Sequence, residues 1–286
     1  MRAMNYSTKK FKLCSSRLAR ILLALSLSLM MTACGGGKLR ANLTTEERLA
    51  EAMKLFEKHD YFEARTQFRI VTLNAPGSSI VDQAQFYLAE CHFHMEEYII
   101  AGEEYKKLIR LYPQSEYLDD AQFKIGLAYF KLSPKSDLDQ KYTWSAIEEF
   151  QRFIEDYPQS DLQDQAQDHL LQVRNKLAKK DFDTADLYRK LAYYESALVY
   201  FDEVLARFYD TKYAEPSLYY KAEILFKLEK YDEARDAIHL LLDKYRREAN
   251  QGEAGSAKDK PKFQARAADL LKLIEEQLSA NGSAKK

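Results

Sequence analysis

The chain has little cysteine. Only Cys14, Cys34 and Cys91 occur in 286 residues, too few for a disulfide framework. Cys14 and Cys34 lie in or at the end of a segment that reads as a processed leader, which leaves Cys91 without an internal partner. Beside Leu88 on a helix, Cys91 reads as a small core hydrophobe. An excess of one charge is missing too: 43 bases face 44 acids, so nothing points to nucleic acid. Glycine-rich phosphate loops, G-x-S-x-G and H-E-x-x-H are absent. His92 and His94 are the only close histidine pair, and on a helix positions i and i+2 face different ways. No metal site, no cofactor and no catalytic cluster is therefore expected, and the chain reads as a non-enzyme. Strand-period alternation is absent as well.

The first 33 residues lack acids altogether. They hold six bases, Arg2, Lys9, Lys10, Lys12, Arg17 and Arg20, followed by the apolar run 21–31. A run of eleven residues, nine of them apolar, suits a signal peptide. Crossing a bilayer takes about 20. Met31-Thr32-Ala33-Cys34 then resembles the bacterial lipobox, whose cysteine is acylated and becomes the new N-terminus. The resemblance implies lipidation at Cys34. Gly35-Gly36-Gly37 would begin a short flexible tether over residues 34–43. Glycine rather than aspartate after the cysteine implies sorting to the outer membrane. Loss of the six leader bases would leave 37 bases against 44 acids, a formal charge of −7. That charge favours solubility and argues against electrostatic adhesion to anionic lipid.

What the rest of the chain has is a repeat. A small residue followed four positions later by a large one recurs as Ala64/Phe68, Ala101/Tyr105, Ala146/Phe150, Ala197/Phe201 and Ala234/Ile238. A proline follows the first three alanines at twelve residues: Pro76, Pro113 and Pro158. After each proline an acid, an alanine and a glutamine return in step: Asp82, Ala84, Gln85; Asp119, Ala121, Gln122; Asp164, Ala166, Gln167. The first two prolines are 37 apart and the next two 45 apart, and a polar insert at 133–137 accounts for the difference. Small residues let neighbouring helices approach, and the large ones fill the gap. A lone hairpin cannot bury its apolar stripe, so such units stack.

The spacing resembles the tetratricopeptide repeat, with Ile125-Gly126-x2-Tyr129 as its first part. The implied fold is all-α: a right-handed solenoid of about five helical hairpins. Repeats 1–3 are expected over 44–158, repeats 4–5 over 159–245, a mobile polar linker over 246–262, and a C-terminal helix and tail over 263–286. Thr44 and Glu47 have the spacing of a capping box. Residues 162–179 read as a long helix leading into 183–191, and residues 281–286 as a frayed end. The apolar stripe Phe263, Ala267, Leu270, Leu271, Ile274 and Leu278 reads as a cap on the last repeat or as a docking face.

In such arrays the first helix of each hairpin lines the concave side. A 37-residue step then places Leu49, Phe86 and Phe123 in one column, Met53, Glu90 and Leu127 in a second, and Phe56, Phe93 and Phe130 in a third. These nine residues are the candidate peptide groove.

The lipobox, the glycine tether, the five repeats and the turns Tyr112-Pro113-Gln114-Ser115 and Tyr157-Pro158-Gln159-Ser160 together resemble the BamD (ComL/YfiO) family of outer-membrane lipoproteins. The resemblance covers about 34–245. It implies a scaffold on the periplasmic face of the outer membrane. Repeats 1–3 would meet unfolded β-barrel substrates, and repeats 4–5 the POTRA domains of a BamA-like barrel protein. Met31, the absent proline at Tyr209 and the tail after Tyr245 depart from the family's pattern. The alternative is another periplasmic adaptor serving envelope maintenance or cell division.

Overall fold

The computed structural model describes residues 43–74, 76–250 and 263–284. The leader, Cys34 and the greater part of the tether lie outside the described residues, as does 251–262 of the expected linker. The described residues carry eleven helices and no strand.

Ten of these helices pair as five hairpins. α1 (Thr45–Glu57) pairs with α2 (Tyr61–Asn74), and α3 (Val81–His94) with α4 (Tyr98–Leu111). α5 (Leu118–Leu132) pairs with α6 (Lys141–Asp156), α7 (Gln163–Lys190) with α8 (Tyr194–Arg207), and α9 (Ala214–Lys227) with α10 (Tyr231–Asn250). α11 (Gln264–Ala284) follows. Each helix packs against the one before it and the one after it. The described residues from Thr45 on form one unit.

The five small/large pairs are its spine. Both members of every pair, from Ala64/Phe68 to Ala234/Ile238, are 0% exposed. Full burial of each large member contributes roughly 1.5–3 kcal/mol. The hairpin turns explain how helices of such similar length meet in register. His59, Glu96, Ala192 and Glu229 each adopt φ near +60° (61, 62, 61 and 61°) just past a helix end. At each, two backbone amides turn back onto the last helical turn, as Glu96 N donates to Phe93 O (3.0 Å) and Glu97 N to His92 O (2.9 Å). This is the Schellman closure that usually employs glycine.

Between hairpins the Tyr-Pro-x-Ser turns do the reversal. Ser115 N donates to Tyr112 O (3.0 Å) and Ser160 N to Tyr157 O (3.1 Å), with proline at the position that favours this turn. After α8 the same bond runs from Thr211 N to Phe208 O (3.1 Å) without proline. There Arg174 of α7 grips Asp210 through Nε (2.8 Å) and Nη2 (2.6 Å), and its Nη2 also donates to Arg207 O (2.8 Å). A side-chain clamp stands where the earlier turns have a rigid ring.

The structure changes three expected boundaries. α7 is one unbroken helix of 28 residues, whereas the sequence suggested two segments. α10 runs on to Asn250, so the polar stretch begins as helix and the expected linker start at residue 246 is corrected. Arg246 and Arg247 are good helix formers and extend it. α11 likewise continues through Asn281 to Ala284, where frayed chain was expected. Its apolar stripe is accounted for: Phe263, Ala267, Leu270 and Ile274 are buried against α9 and α10, with Leu271 and Leu278 partly buried at the edge. Arg266 reinforces the contact from above the Tyr219 ring, 4.4 Å from its centroid.

Candidate peptide groove

The first helices α1, α3 and α5 hold all nine groove candidates. The three columns meet different fates. Leu49, Phe86 and Phe123 are 8%, 8% and 5% exposed. They pack into successive hairpin cores, Phe86 stacked on Tyr117 (4.7 Å) and Phe123 edge-on to Phe153 (5.7 Å). That column is core and does not line a groove, which corrects the expectation for these three residues. An apolar side chain on a helix flanked by two others is buried unless the neighbours leave a gap.

Phe56, Phe93 and Phe130 are half-buried. Each meets aromatic neighbours: Phe56 meets Tyr87 (5.2 Å), Tyr61 (5.3 Å) and His94 (5.5 Å), Phe93 meets Tyr98 (5.2 Å), and Phe130 meets His169 (4.7 Å). Met53 and Leu127 are half-buried too. These five keep part of their surface in water, one hairpin apart from the next.

Glu90 differs from its column. It is buried at 6% exposure, and it accepts a hydrogen bond from the Tyr105 hydroxyl. Lys124 Nζ lies 2.8 Å from the same carboxylate, and His94 Nε2 lies 3.7 Å away. Lys124 also stands over the Phe93 ring at 5.0 Å. Glu90 therefore ties α3, α4 and α5 together behind the aromatic row. Burial, and next the Glu90 charge, push the Tyr105 hydroxyl well above its usual pKa. Burial lowers the His94 imidazole, partly opposed by Glu90. Sequence periodicity could place Glu90 but not its partners, because Tyr105 and Lys124 come from other helices.

His92 and His94 diverge as expected of i and i+2. His92 Nδ1 is 2.5 Å from Glu97 Oε2, while His94 stacks on Tyr61 at 4.6 Å. Among the described residues no group of three His, Cys, Asp or Glu side chains is placed to hold a metal ion.

The repeated glutamines have a job that the pattern alone did not reveal. Gln85 Nε2 donates to Glu104 O (3.0 Å) and Oε2 (2.8 Å). One hairpin on, Gln122 Nε2 donates to Glu149 O (3.3 Å) and Oε2 (2.9 Å). In the first hairpin the same two positions carry Arg48 and Gln67, joined at 2.6 Å. Each pair bonds the two helices of one hairpin. Gln167 is exposed, on the half of α7 that packs against the third hairpin, and Tyr200 instead stacks on Tyr188 at 5.6 Å.

Residues 42–240 match the model of the YfiO family, described as outer membrane lipoprotein. The chain is 24% identical over 239 residues to the outer membrane protein assembly factor BamD of Neisseria gonorrhoeae, spanning 78% of this chain and 90% of that protein. It is 23% identical, over the same shares, to the protein of that name from Neisseria meningitidis serogroup B. Among solved structures, the TPR2AB domain of yeast Sti1 in its pHSP90 complex is similar at 16% identity, covering 84% of this chain and 94% of that one, with a TM-score of 0.42. A thermophilic TPR protein of Thermus thermophilus is similar at 17% identity, covering 80% and 99%, with a TM-score of 0.33.

Proposed function

The chain belongs to the YfiO family of outer membrane lipoproteins, and from that premise we propose that it is a non-enzymatic assembly factor for outer-membrane β-barrel proteins. In this reading Cys34 carries the lipid that holds it at the periplasmic face. Hairpins 1–3 bind segments of unfolded barrel substrates, and hairpins 4 and 5 meet the POTRA domains of a BamA-like barrel protein. The observation that carries the reading is the row Phe56, Phe93 and Phe130, half-buried and spaced one hairpin apart, with Met53 and Leu127 beside it. Aromatic side chains of a barrel strand would pack on these ring faces, while the Glu90–Lys124–Tyr105 network keeps the three helices from shifting.

The mechanism needs no bond to form or break. Anchoring confines the groove beside the membrane, and a substrate held there meets the insertion machinery at a raised effective concentration. Among the described residues no helix is long and apolar enough to cross a membrane, so attachment in this reading rests on Cys34.

A crosslinked pull-down of the intact lipoprotein from membranes is the test. Recovery of a barrel protein with POTRA domains supports the role; recovery of only division or cell-wall proteins sinks it. In parallel, Phe93→Ala with Phe130→Ala is expected to weaken binding of a barrel C-terminal peptide by at least about fivefold, the scale of an interface residue of 1 kcal/mol or more. Unchanged affinity in a folded double variant would remove the groove from the mechanism.

A further inference from the structure

A cleft lies at the other end of the array, between α8 and α10 with α9 beneath. Its volume is about 750 Å³. It runs along α10 from Glu233 to Lys244, a length of about 16 Å at 1.5 Å per residue. Its origin is visible when the repeats are set in register. Where hairpins 2 and 3 carry the Gln–Glu pairs, hairpin 5 carries Leu218 and Ala237. Where the earlier second helices carry Leu73, Arg110 and Glu155, α8 carries Ala206. Where the earlier turns carry proline, Tyr209 stands, 71% exposed. Two short side chains, Ala206 and Ala237, line the trough that results.

The trough has an apolar floor and an acidic border. Leu205, Leu218 and Ala237 line the floor, and Leu240, 56% exposed, stands on one wall. Four carboxylates line it, Asp202, Glu215, Glu233 and Asp236, against two lysines. Both lysines are already engaged: Lys221 with Asp202 at 2.6 Å and Lys244 with Glu215 at 3.1 Å. The local balance is thus negative around an apolar strip.

We propose that this trough is a docking site for a short amphipathic helix of a partner protein, with apolar side chains on the floor and Lys or Arg along its edges. The charge complement decides the flanks, and the length accommodates about three helical turns. Tyr209 and Leu240 are the exposed anchors at its mouth. The proposal rests on the reading of hairpins 4 and 5 as the partner-facing end, and it adds where the partner sits and what chemistry it brings.

The probe is a fluorescein-labelled twelve-residue helical peptide with leucine on one face and lysine elsewhere, compared with its glutamate-for-lysine counterpart. Binding to the full chain in neutral detergent is read by anisotropy against detergent alone. The lysine peptide is expected to bind at least tenfold more tightly than the glutamate peptide. Ala206→Trp, which fills the trough, and Asp236→Lys, which reverses its border, are each expected to weaken it tenfold or more. Both positions are exposed, and thermal melts confirm folding. Phe93→Ala with Phe130→Ala is expected to leave this affinity unchanged. Equal binding by the wild type and both variants, equal binding of the two peptides, or loss of binding only in the Phe93/Phe130 variant would each overturn the proposal. A pull-down that yields no barrel protein sinks the assembly role and leaves this peptide result standing.

Discussion

Gly126 lies so close to the Phe150 ring that a Cβ placed on it would stand 2.8 Å from both Cδ1 and Cε1. Phe150 is fully buried and cannot swing away. Gly126→Ala is therefore expected to destabilise the chain by about 1–2 kcal/mol, the cost of overpacking less the helix propensity gained. Gly102 meets nothing within 4 Å. Gly102→Ala is expected to stabilise by roughly 0.5–1 kcal/mol. Urea unfolding of the two variants checks the opposite signs.

The four left-handed turn residues offer a second test. Ala192 and Glu229 hold φ of 61° without being glycine. Such a conformation costs a side-chain-bearing residue roughly 1–2 kcal/mol, and glycine escapes it at some cost in unfolded-state entropy. Ala192→Gly and Glu229→Gly are each expected to raise stability by about 0.5–1 kcal/mol. A fall in the urea midpoint would show that the turn is not strained.

Cys91 is expected to be inert in the folded chain. It is 0% exposed, and burial, helped by the Glu90 charge, pushes its thiol up to about 12. The reactive species is the thiolate. Alkylation at pH 8, followed on the Cys91 peptide by mass spectrometry, is expected to be complete in urea and negligible in the native protein. Ready native labelling would mean that α3 opens.

His169 predicts an acid-sensitive joint. Its ring lies among Phe130 (4.7 Å), Phe150 (5.5 Å) and Phe123 (6.0 Å). Its buried Nδ1 has no hydrogen-bond partner. Burial lowers its pKa, with Asp168 opposing and Lys131 assisting, and burial lowers that of His94 as well. A depressed imidazole means that the unfolded chain takes up the proton first. Stability is therefore unaffected well above the ordinary histidine value and falls as pH drops through it. The urea midpoint is expected to decrease from pH 7.5 to pH 5.5, and to decrease less in His169→Leu. An equal decrease in that variant would remove His169 as a cause.

The hairpins were legible because their determinants are local. The Ala/large pairs and the Tyr-Pro turns recur at fixed spacing, and each does in the structure what its residue type does anywhere. The candidate groove was legible only by column. Periodicity placed Leu49, Phe86 and Phe123 on the same helices as Phe56, Phe93 and Phe130, but which of them reaches water depends on neighbours contributed by other hairpins. The Glu90 network and the Gln–Glu bonds join residues 15 to 34 apart, and no spacing rule predicts such partners. The continuity of α7 was missed because its middle, Lys179-Lys180-Asp181, reads as a polar break. There Lys180 donates to Leu138 O (3.0 Å), while Lys176, one turn earlier, donates to Ser133 Oγ (2.6 Å). The polar insert and the long helix are two halves of one joint.

That joint changes how the array can respond to a pull. Stacked repeats ordinarily touch only their immediate neighbours, so each boundary is a seam at which one unit can peel from the next. α7 erases one seam: its first half completes the third hairpin's core and its second half is the first helix of the fourth. At 28 residues it is a rod of about 42 Å. A force applied to the fourth hairpin reaches α5 and α6 along an unbroken splint, so hairpins 3 and 4 respond as one lever rather than as two beads on a string.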